Sequence, residues 1–416
     1  MSHPITAANV SEQKRRLLFC SYHCYVDPSS GAALATRDLL ELLAARGWTC
    51  GVFSGPTLDF EESPPLHQIL ADHQLSFERH EATDRSTAFR VYHFEQNGIP
   101  VSLFDPIGAD PRQPPTRGEG EPFLTLFQGI VERFRPDVLL TYGGHWLAQQ
   151  VIERAKQWGI PVVFGLHNFA YTDATPFQHV EAIWVPSKFA QEHYQQKLGL
   201  SCTAIPYAWD WSRIRCENIE GKYVTFVNPQ PHKGVSVFSR IALELGQQRP
   251  DIPLLVVEGR AKVSGLTRTG LDLSGLSNLH VMANTPDPRD FYRVSRMILM
   301  PSLWQESFGR VAAEAIINGL PVLASRRGSL VETLAQAGFL FDVPAQYTPE
   351  ARLVPTAEEV APWVETIIRL WDDPTELEKE RRRCHTAAEA WLPERLIPQY
   401  EELFTSIITS RGKPNG

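Results

Sequence analysis

Two α/β domains, each a mostly parallel sheet with helices on both faces, are predicted by three observations. The chain has 416 residues, 43% of them apolar and 21% charged, and is longer than one compact domain usually runs. Short runs of β-branched and aromatic residues alternate with amphipathic helical stretches, the strand, helix, strand rhythm that a covered parallel sheet requires. That rhythm then begins again past residue 220, without a close sequence repeat of the first half.

The first series of predicted strands covers residues 17–20, 49–53, 101–104, 138–141, 162–166 and 183–185. Between the first two, residues 32–46 place Leu34, Leu39, Leu42 and Leu43 on one helical face, and Gly47 stands where a helix ends. Residues 55–65 and the Pro-, Gly- and Arg-rich stretch 106–122 break the rhythm and read as long surface loops. The second series covers 223–227, 254–257, 279–282, 297–300, 322–325 and 339–341, with a boundary inside 206–220. The expected division is 1–206, 207–390 and a closing segment 391–416. In that segment Leu396, Tyr400, Leu403, Phe404 and Ile407 fall at helical spacing and need an apolar surface to cover, before a disordered tail from Gly412.

A formal charge of −8 argues against a general affinity for nucleic acid or anionic membranes, both of which need dense Lys/Arg surface. Residues 1–16 lack the apolar core of a secretory signal, and no later apolar run approaches the roughly 20 residues of a transmembrane helix. The expectation is a cytoplasmic protein. Cys20, Cys24, Cys50, Cys202, Cys216 and Cys384 form no zinc or redox spacing and read as buried thiols.

The densest chemical signal lies in residues 300–325: a strand, a loop, a helix expected to begin near Phe308 or Gly309, and another strand. A helix start at the carboxyl edge of a sheet presents unpaired N–H groups to an anion, and Gly309 permits close backbone approach by a pyrophosphate. Glu314, inside that helix, is suited to accept two ribose hydroxyls, and Glu306, before it, the hydroxyls of a sugar. Two carboxylates beside a diphosphate repel it unless a cation stands opposite. Lys233, in the loop after the first strand of the second half, supplies that charge, and Arg260, at the next strand end, is placed to share the task. Each residue also has an ordinary reading: solvated loop charges for Lys233 and Arg260, a surface carboxylate for Glu314, a helix cap for Glu306. Jointly the functional reading prevails, because all four fall along one edge of one predicted sheet.

Glu306-Ser-Phe-Gly309 with Glu314, a Glu-x7-Glu spacing followed by Gly319-Leu-Pro-Val322, resembles the retaining glycosyltransferases of family 4. The resemblance covers the C-terminal half, and the N-terminal half matches in outline. It implies a GT-B fold of two facing Rossmann-like domains with a cleft between them, and a last helix, around Trp391 and Tyr400, that returns to the N-terminal domain. By the same resemblance the second domain holds the nucleotide sugar and the first the acceptor. Glu314 then binds ribose, Glu306 the donor sugar, Lys233 the diphosphate, and the backbone of Ser307, Phe308 and Gly309 meets sugar or phosphate. His167 resembles the family's histidine after a late strand of the first domain, where it positions the donor sugar.

Two departures stand out. The family carries an arginine five residues before the lysine, where this chain has Asn228, so Arg260 is either its replacement or an ordinary loop arginine. On the acceptor side, only Gly31 of Asp27-Pro-Ser-Ser-Gly31 matches the family's glycine-rich turn, and His145 after Gly143-Gly144 either faces the acceptor or marks a tight turn. No Asp-x-Asp pair sits at the expected diphosphate site, so no obligatory metal or other cofactor is expected, Lys and Arg taking its place. The resulting expectation is a retaining, metal-independent hexosyltransferase, moving a sugar from a UDP- or GDP-type donor to a hydroxyl of a carbohydrate or other acceptor. The alternatives are a sugar-nucleotide epimerase or hydrolase, or a non-catalytic nucleotide-sugar-binding protein, of the same fold. A dehydrogenase is disfavoured by the lack of Gly-x-Gly-x-x-Gly after the first strand.

Overall fold

The computed structural model describes residues 14–59, 65–84, 87–110 and 112–410. One sheet contains β1 (Arg16–His23), β2 (Thr49–Thr57), β3 (Phe77–Asp84), β4 (Thr87–Gln96), β5 (Ile99–Pro106), β6 (Val138–Thr141), β7 (Val162–Gly165), β8 (Ala182–Val185) and β9 (Cys202–Ala204). Its order is β3-β4-β5-β2-β1-β6-β7-β8-β9. The other contains β10 (Tyr223–Val227), β11 (Leu254–Val257), β12 (Leu279–Met282), β13 (Ser295–Met300), β14 (Val322–Ser325) and β15 (Phe339–Phe341), ordered β12-β11-β10-β13-β14-β15. The second sheet is parallel throughout, and the first is parallel except where β4 pairs with β3 and β5.

In both sheets the first strand is internal and the chain fills one side before the other; in the first sheet it goes from β2 to the edge at β3 and returns inward through β4 to β5. The order therefore reverses at β1/β6 and at β10/β13. Loops leaving the carboxyl ends of the two strands at such a switch diverge and open a crevice, which is where open parallel sheets bind ligands. The strands that build these edges are buried on both faces, as their continuous apolar runs require: Leu17, Leu18 and Phe19 in β1, and Ile298 and Leu299 in β13, are at most 1% exposed.

Every strand anticipated from sequence is present, with small changes at the ends, and three were not anticipated: β3, β4 and β9. The reading of 106–122 as a loop is corrected, since Arg117–Phe134 is a helix. Thr116 and Glu119 form its capping box, and Pro122 sits inside it without breaking it. The carbonyl of Gly118, four residues before the proline, instead accepts the hydroxyl of Thr87 at 2.9 Å. The reading of 55–65 as loop is corrected in part: β2 runs on to Thr57, and residues 60–64 lie outside the described residues. The tail from Gly412 lies outside them too.

The closing helix Pro393–Ser410 covers the first domain. Tyr400, fully buried, sets its ring edge-on to Trp184 and donates its hydroxyl to the carbonyl of Pro206 at 2.8 Å, while Phe404 packs on Trp48. Among the described residues no helix is long and apolar enough to cross a membrane. The six cysteines are buried and free.

Candidate active site

The carboxyl end of β13 runs through Ser302, Trp304 and Glu306 to Gly309, which caps the helix Arg310–Ile317 in a left-handed conformation (φ 84°). The loop after β10 meets it closely: at Gly234 (φ 80°) a Cβ would lie 1.7 Å from the carbonyl oxygen of Pro301, so a side chain there would drive the two loops apart. This contact brings Lys233 to Glu306. The Lys233 ammonium donates to Glu306 Oε1 at 2.7 Å, Ser302 Oγ donates to the same oxygen at 2.8 Å, and the ammonium lies 5.3 Å from the centre of the Trp304 ring. Burial opposes the charge on Glu306, but Lys233, with Trp304 and Ser302 as hydrogen-bond donors, more than offsets it and holds the carboxyl below its ordinary range. Trp304 remains 38% exposed, an indole face beside the charged pair.

His167, two residues past the end of β7, lies beside this loop on the first domain. Its Nδ1 is 3.0 Å from the Tyr207 hydroxyl, and its ring is edge-on to Tyr142 and Trp184. Burial pulls its pKa down to about 3, so at neutral pH it offers hydrogen bonds and no charge. The domains are clipped together beside it. Ser307 donates its hydroxyl to the His167 carbonyl at 2.6 Å, and Ser187 donates to the Ser307 carbonyl at 2.6 Å.

Glu314 is 6% exposed, and its carboxylate accepts from Arg310 Nε and Trp209 Nε1 on one oxygen and from the Tyr292 hydroxyl on the other. Arg310 also reaches across the cleft, its Nη2 donating to Asp38 at 2.6 Å. Arg260 donates to Asp59 at 2.6 Å and to the Ser29 carbonyl at 3.1 Å, both on the first domain. Asn228, left-handed at φ 64°, accepts from the Ala261 amide at 3.1 Å and so braces the turn that carries Arg260. Of the two residues expected on the acceptor side, Gly31 opens the helix Gly31–Ala45, and a Cβ there would meet no atom within 4 Å. His145 precedes the helix Trp146–Gln157, with both ring nitrogens buried and, among the described residues, unpartnered. Among the described residues no group of three His, Cys, Asp or Glu side chains is placed to hold a metal ion.

The fold thus gathers Lys233, Glu306, Ser307, Phe308, Gly309 and His167 on one seam, holds Glu314 one helical turn behind it, and directs Arg260 to the opposite loop. Sequence reasoning missed Asp38, Trp209, Tyr292, Ser302 and Arg310. Arg310, four residues before Glu314 on one helix, carried a local signal, and Ser302 lies in the same loop as Glu306, four residues before it. Asp38, Trp209 and Tyr292 reach the site from distant segments.

Comparison with known proteins adds the following. Residues 30–201 match the model of the glycosyl transferase 4-like domain, and residues 216–391 that of the glycosyl transferases group 1. The D-inositol 3-phosphate glycosyltransferase of Arthrobacter sp. is 30% identical over 151 residues, 34% of this chain and 32% of the relative, so the match spans about a third of that protein's length. In structure, the sucrose-phosphate synthase of Thermosynechococcus elongatus superposes with a TM-score of 0.65 at 17% identity, covering 95% of this chain and all of that one. Anabaena HepE in complex with UDP gives 0.63 at 16% identity, covering 94% of this chain and 100% of its own. These likenesses establish the GT-B fold.

Proposed function

We propose, from the premise that the first domain of this chain belongs to the glycosyl transferase 4-like domains and its second to the glycosyl transferases group 1, that it moves a hexose-type sugar from a UDP- or GDP-type nucleotide donor to an acceptor hydroxyl with retention of configuration. The observation that carries this reading is the Lys233–Glu306 pair at the β10/β13 switch point, with the neutral His167 tied to the same loop through the Ser307 hydroxyl on its carbonyl. The UDP in the HepE complex fits the same reading.

Breaking a glycosidic bond to a diphosphate leaves negative charge on the phosphate while the sugar becomes oxocarbenium-like. Catalysis therefore rests on stabilising the leaving group, using charges and dipoles fixed in advance. Lys233 supplies the charge and the N-terminus of helix Arg310–Ile317 the dipole, so no divalent metal is required. Glu306, ionised, accepts hydroxyls of the donor sugar, and His167 holds that sugar for front-face attack by the acceptor, assisted by the departing phosphate oxygen. Glu314 is the ribose ligand in this reading, and to serve it releases hydrogen bonds from Arg310 and Trp209. Arg260, paired with Asp59, orders the acceptor loop rather than replacing the arginine whose position Asn228 holds.

The test is titration calorimetry with UDP, GDP, ADP and TDP and their sugar conjugates, followed by NMR of the product anomer. Binding of one donor, weakened by Lys233→Ala and Glu306→Ala, and a product with the donor's anomeric configuration are expected. An inverted product overturns retention. A second reading, a non-catalytic sugar-nucleotide binder, draws on Asn228 and the engaged Glu314, and it predicts donor binding without turnover.

A further inference from the structure

Arg310 stands where local chemistry disfavours a cation. It is the first residue of the helix Arg310–Ile317, beside the positive end of that helix's dipole, and it precedes Glu314 by four residues, the weaker order for a charged i, i+4 pair. Its side chain is 15% exposed, and its Nη1 is buried without a hydrogen-bond partner among the described residues. An arginine kept only to brace the fold is expected to have such a buried donor met.

What holds it is a bridge between the domains. Nε donates to Glu314 Oε1 at 2.5 Å and Nη2 to Asp38 Oδ2 at 2.6 Å, so one cation serves two buried carboxylates. Asp38 belongs to the helix Gly31–Ala45 of the first domain, and Glu41 on the same helix pairs with Arg213 of the segment that joins the domains.

A carboxylate accepts about four hydrogen bonds. Glu314 already accepts three, from Arg310 and Trp209 on Oε1 and from Tyr292 on Oε2. The two hydroxyls of a ribose therefore bind together only if one of these donors leaves. Trp209 and Tyr292 are fully buried and packed on other rings, Trp209 on Phe308 and Trp391, Tyr292 on Phe291. Among the described residues, Arg310 alone of the three donors has a second carboxylate in hand, so it can release Glu314 without becoming an unpaired buried charge.

We propose that Arg310 is a built-in competitor for the ribose-binding carboxylate: it holds Glu314 until a nucleotide arrives, then pairs with Asp38 alone. Nucleotide affinity is thereby set in part by an acidic residue of the opposite domain that never touches the nucleotide. The proposal rests on the reading of Glu314 as ribose ligand and adds to it Arg310 as the residue that gates that ligand and Asp38 as the residue that receives Arg310.

Isothermal titration calorimetry of the full chain with UDP and with GDP tests this on the wild type, on Asp38→Asn, and on Asp38→Asn combined with Arg310→Met, each checked for folding by its urea midpoint. Asp38→Asn is expected to weaken the nucleotide that binds by about tenfold, because the displaced guanidinium loses its destination, and adding Arg310→Met to restore that factor, because no competitor remains. Asp38→Asn combined with Arg310→Lys, a weaker competitor, recovers part of the loss and stands in for the methionine form should that one not fold. A purely structural bridge predicts instead a further loss from single to double variant. Unchanged affinity in Asp38→Asn overturns the proposal, as does a double variant that binds no better than Asp38→Asn. Glu314→Ala, titrated alongside, separates this from the reading beneath it. If that change leaves nucleotide affinity intact, the ribose assignment of Glu314 fails; if it weakens binding while neither double variant recovers, Arg310 alone loses its role. A wild-type chain that binds neither nucleotide overturns the transferase reading itself.

Discussion

At the β10/β13 switch point Glu306 and Glu314 are buried, charged and paired, whereas at β1/β6 the rings of Tyr142 and His145 are uncharged and, among the described residues, partly unpaired. Glu306 accepts from Lys233 and Ser302, and Glu314 accepts from Arg310, Trp209 and Tyr292. On the other sheet His145 and Tyr142 leave ring nitrogens and a hydroxyl without partners. The same topology thus presents two sites with different physics. Ionised groups that are buried must be held with their partners, because a buried charge without one costs several kcal/mol. Neutral groups can be left open at a smaller cost.

The largest effect expected from breaking this contrast is at Arg310, buried between Asp38 and Glu314. Arg310→Met leaves two carboxylates without their cation and should lower stability by about 4 kcal/mol, seen as a fall in the urea midpoint. A loss below about 1 kcal/mol would mean the domains do not depend on that bridge. Lys233→Met should cost less, about 3 kcal/mol, because its side chain is 24% exposed. The double variant Lys233→Met with Glu306→Leu should recover much of that loss, since the stranded charge is gone. Equal midpoints for single and double variants would show that the pair carries little energy.

The pH dependence separates the two sites. His145 and His167 have folded pKa values of about 4 and about 3, below an ordinary value near 6.5, so their neutral forms are favoured by the fold. Their contribution is complete above about pH 6.5 and is lost as pH falls toward the folded values, about 2 kcal/mol for both between pH 7 and pH 5.5. Glu306, lowered from the ordinary carboxyl range, loses its contribution only when pH falls below about 4.3 and through its folded value. Urea midpoints at the two pH values should therefore separate in the wild type and draw closer when both histidines become Gln, the remainder coming from other histidines lowered by burial, His23 among them. A wild-type midpoint flat across this window would rule the assignment out. The smallest effect is Ser302→Ala, which removes one of the donors to Glu306 and should cost about 1 kcal/mol in the same assay.

Much of the fold was legible in sequence because buried parallel strands announce themselves as continuous apolar runs. The exceptions are informative. Seven of the eight residues of β3 are exposed and carry no alternation to read, so only pairing with β4 makes them a strand. For β4 and β5 a signal was present and unused: Asn97 and Gly98, with φ of 52° and 81°, form the two-residue turn between them that Asn-Gly favours. The helix after 116 was hidden by its Pro, Gly and Arg content, although Thr116 and Glu119 spelled out a capping box.

For the site, the sequence alone determined the α/β class, a helix start near Phe308 or Gly309, and the local spacing that sets Glu306 and Glu314 about it, because each depends on a few neighbouring residues and their backbone preferences. Tertiary structure decided which charges meet. Arg260 answers Asp59 from 201 positions away, Arg310 answers Asp38 from 272, and Lys233 reaches Glu306 across 73. Local spacing cannot encode such pairings, since the first two exist only once the two sheets face each other and the third only once β10 and β13 lie side by side in one sheet, where burial makes an unpaired charge too costly to keep.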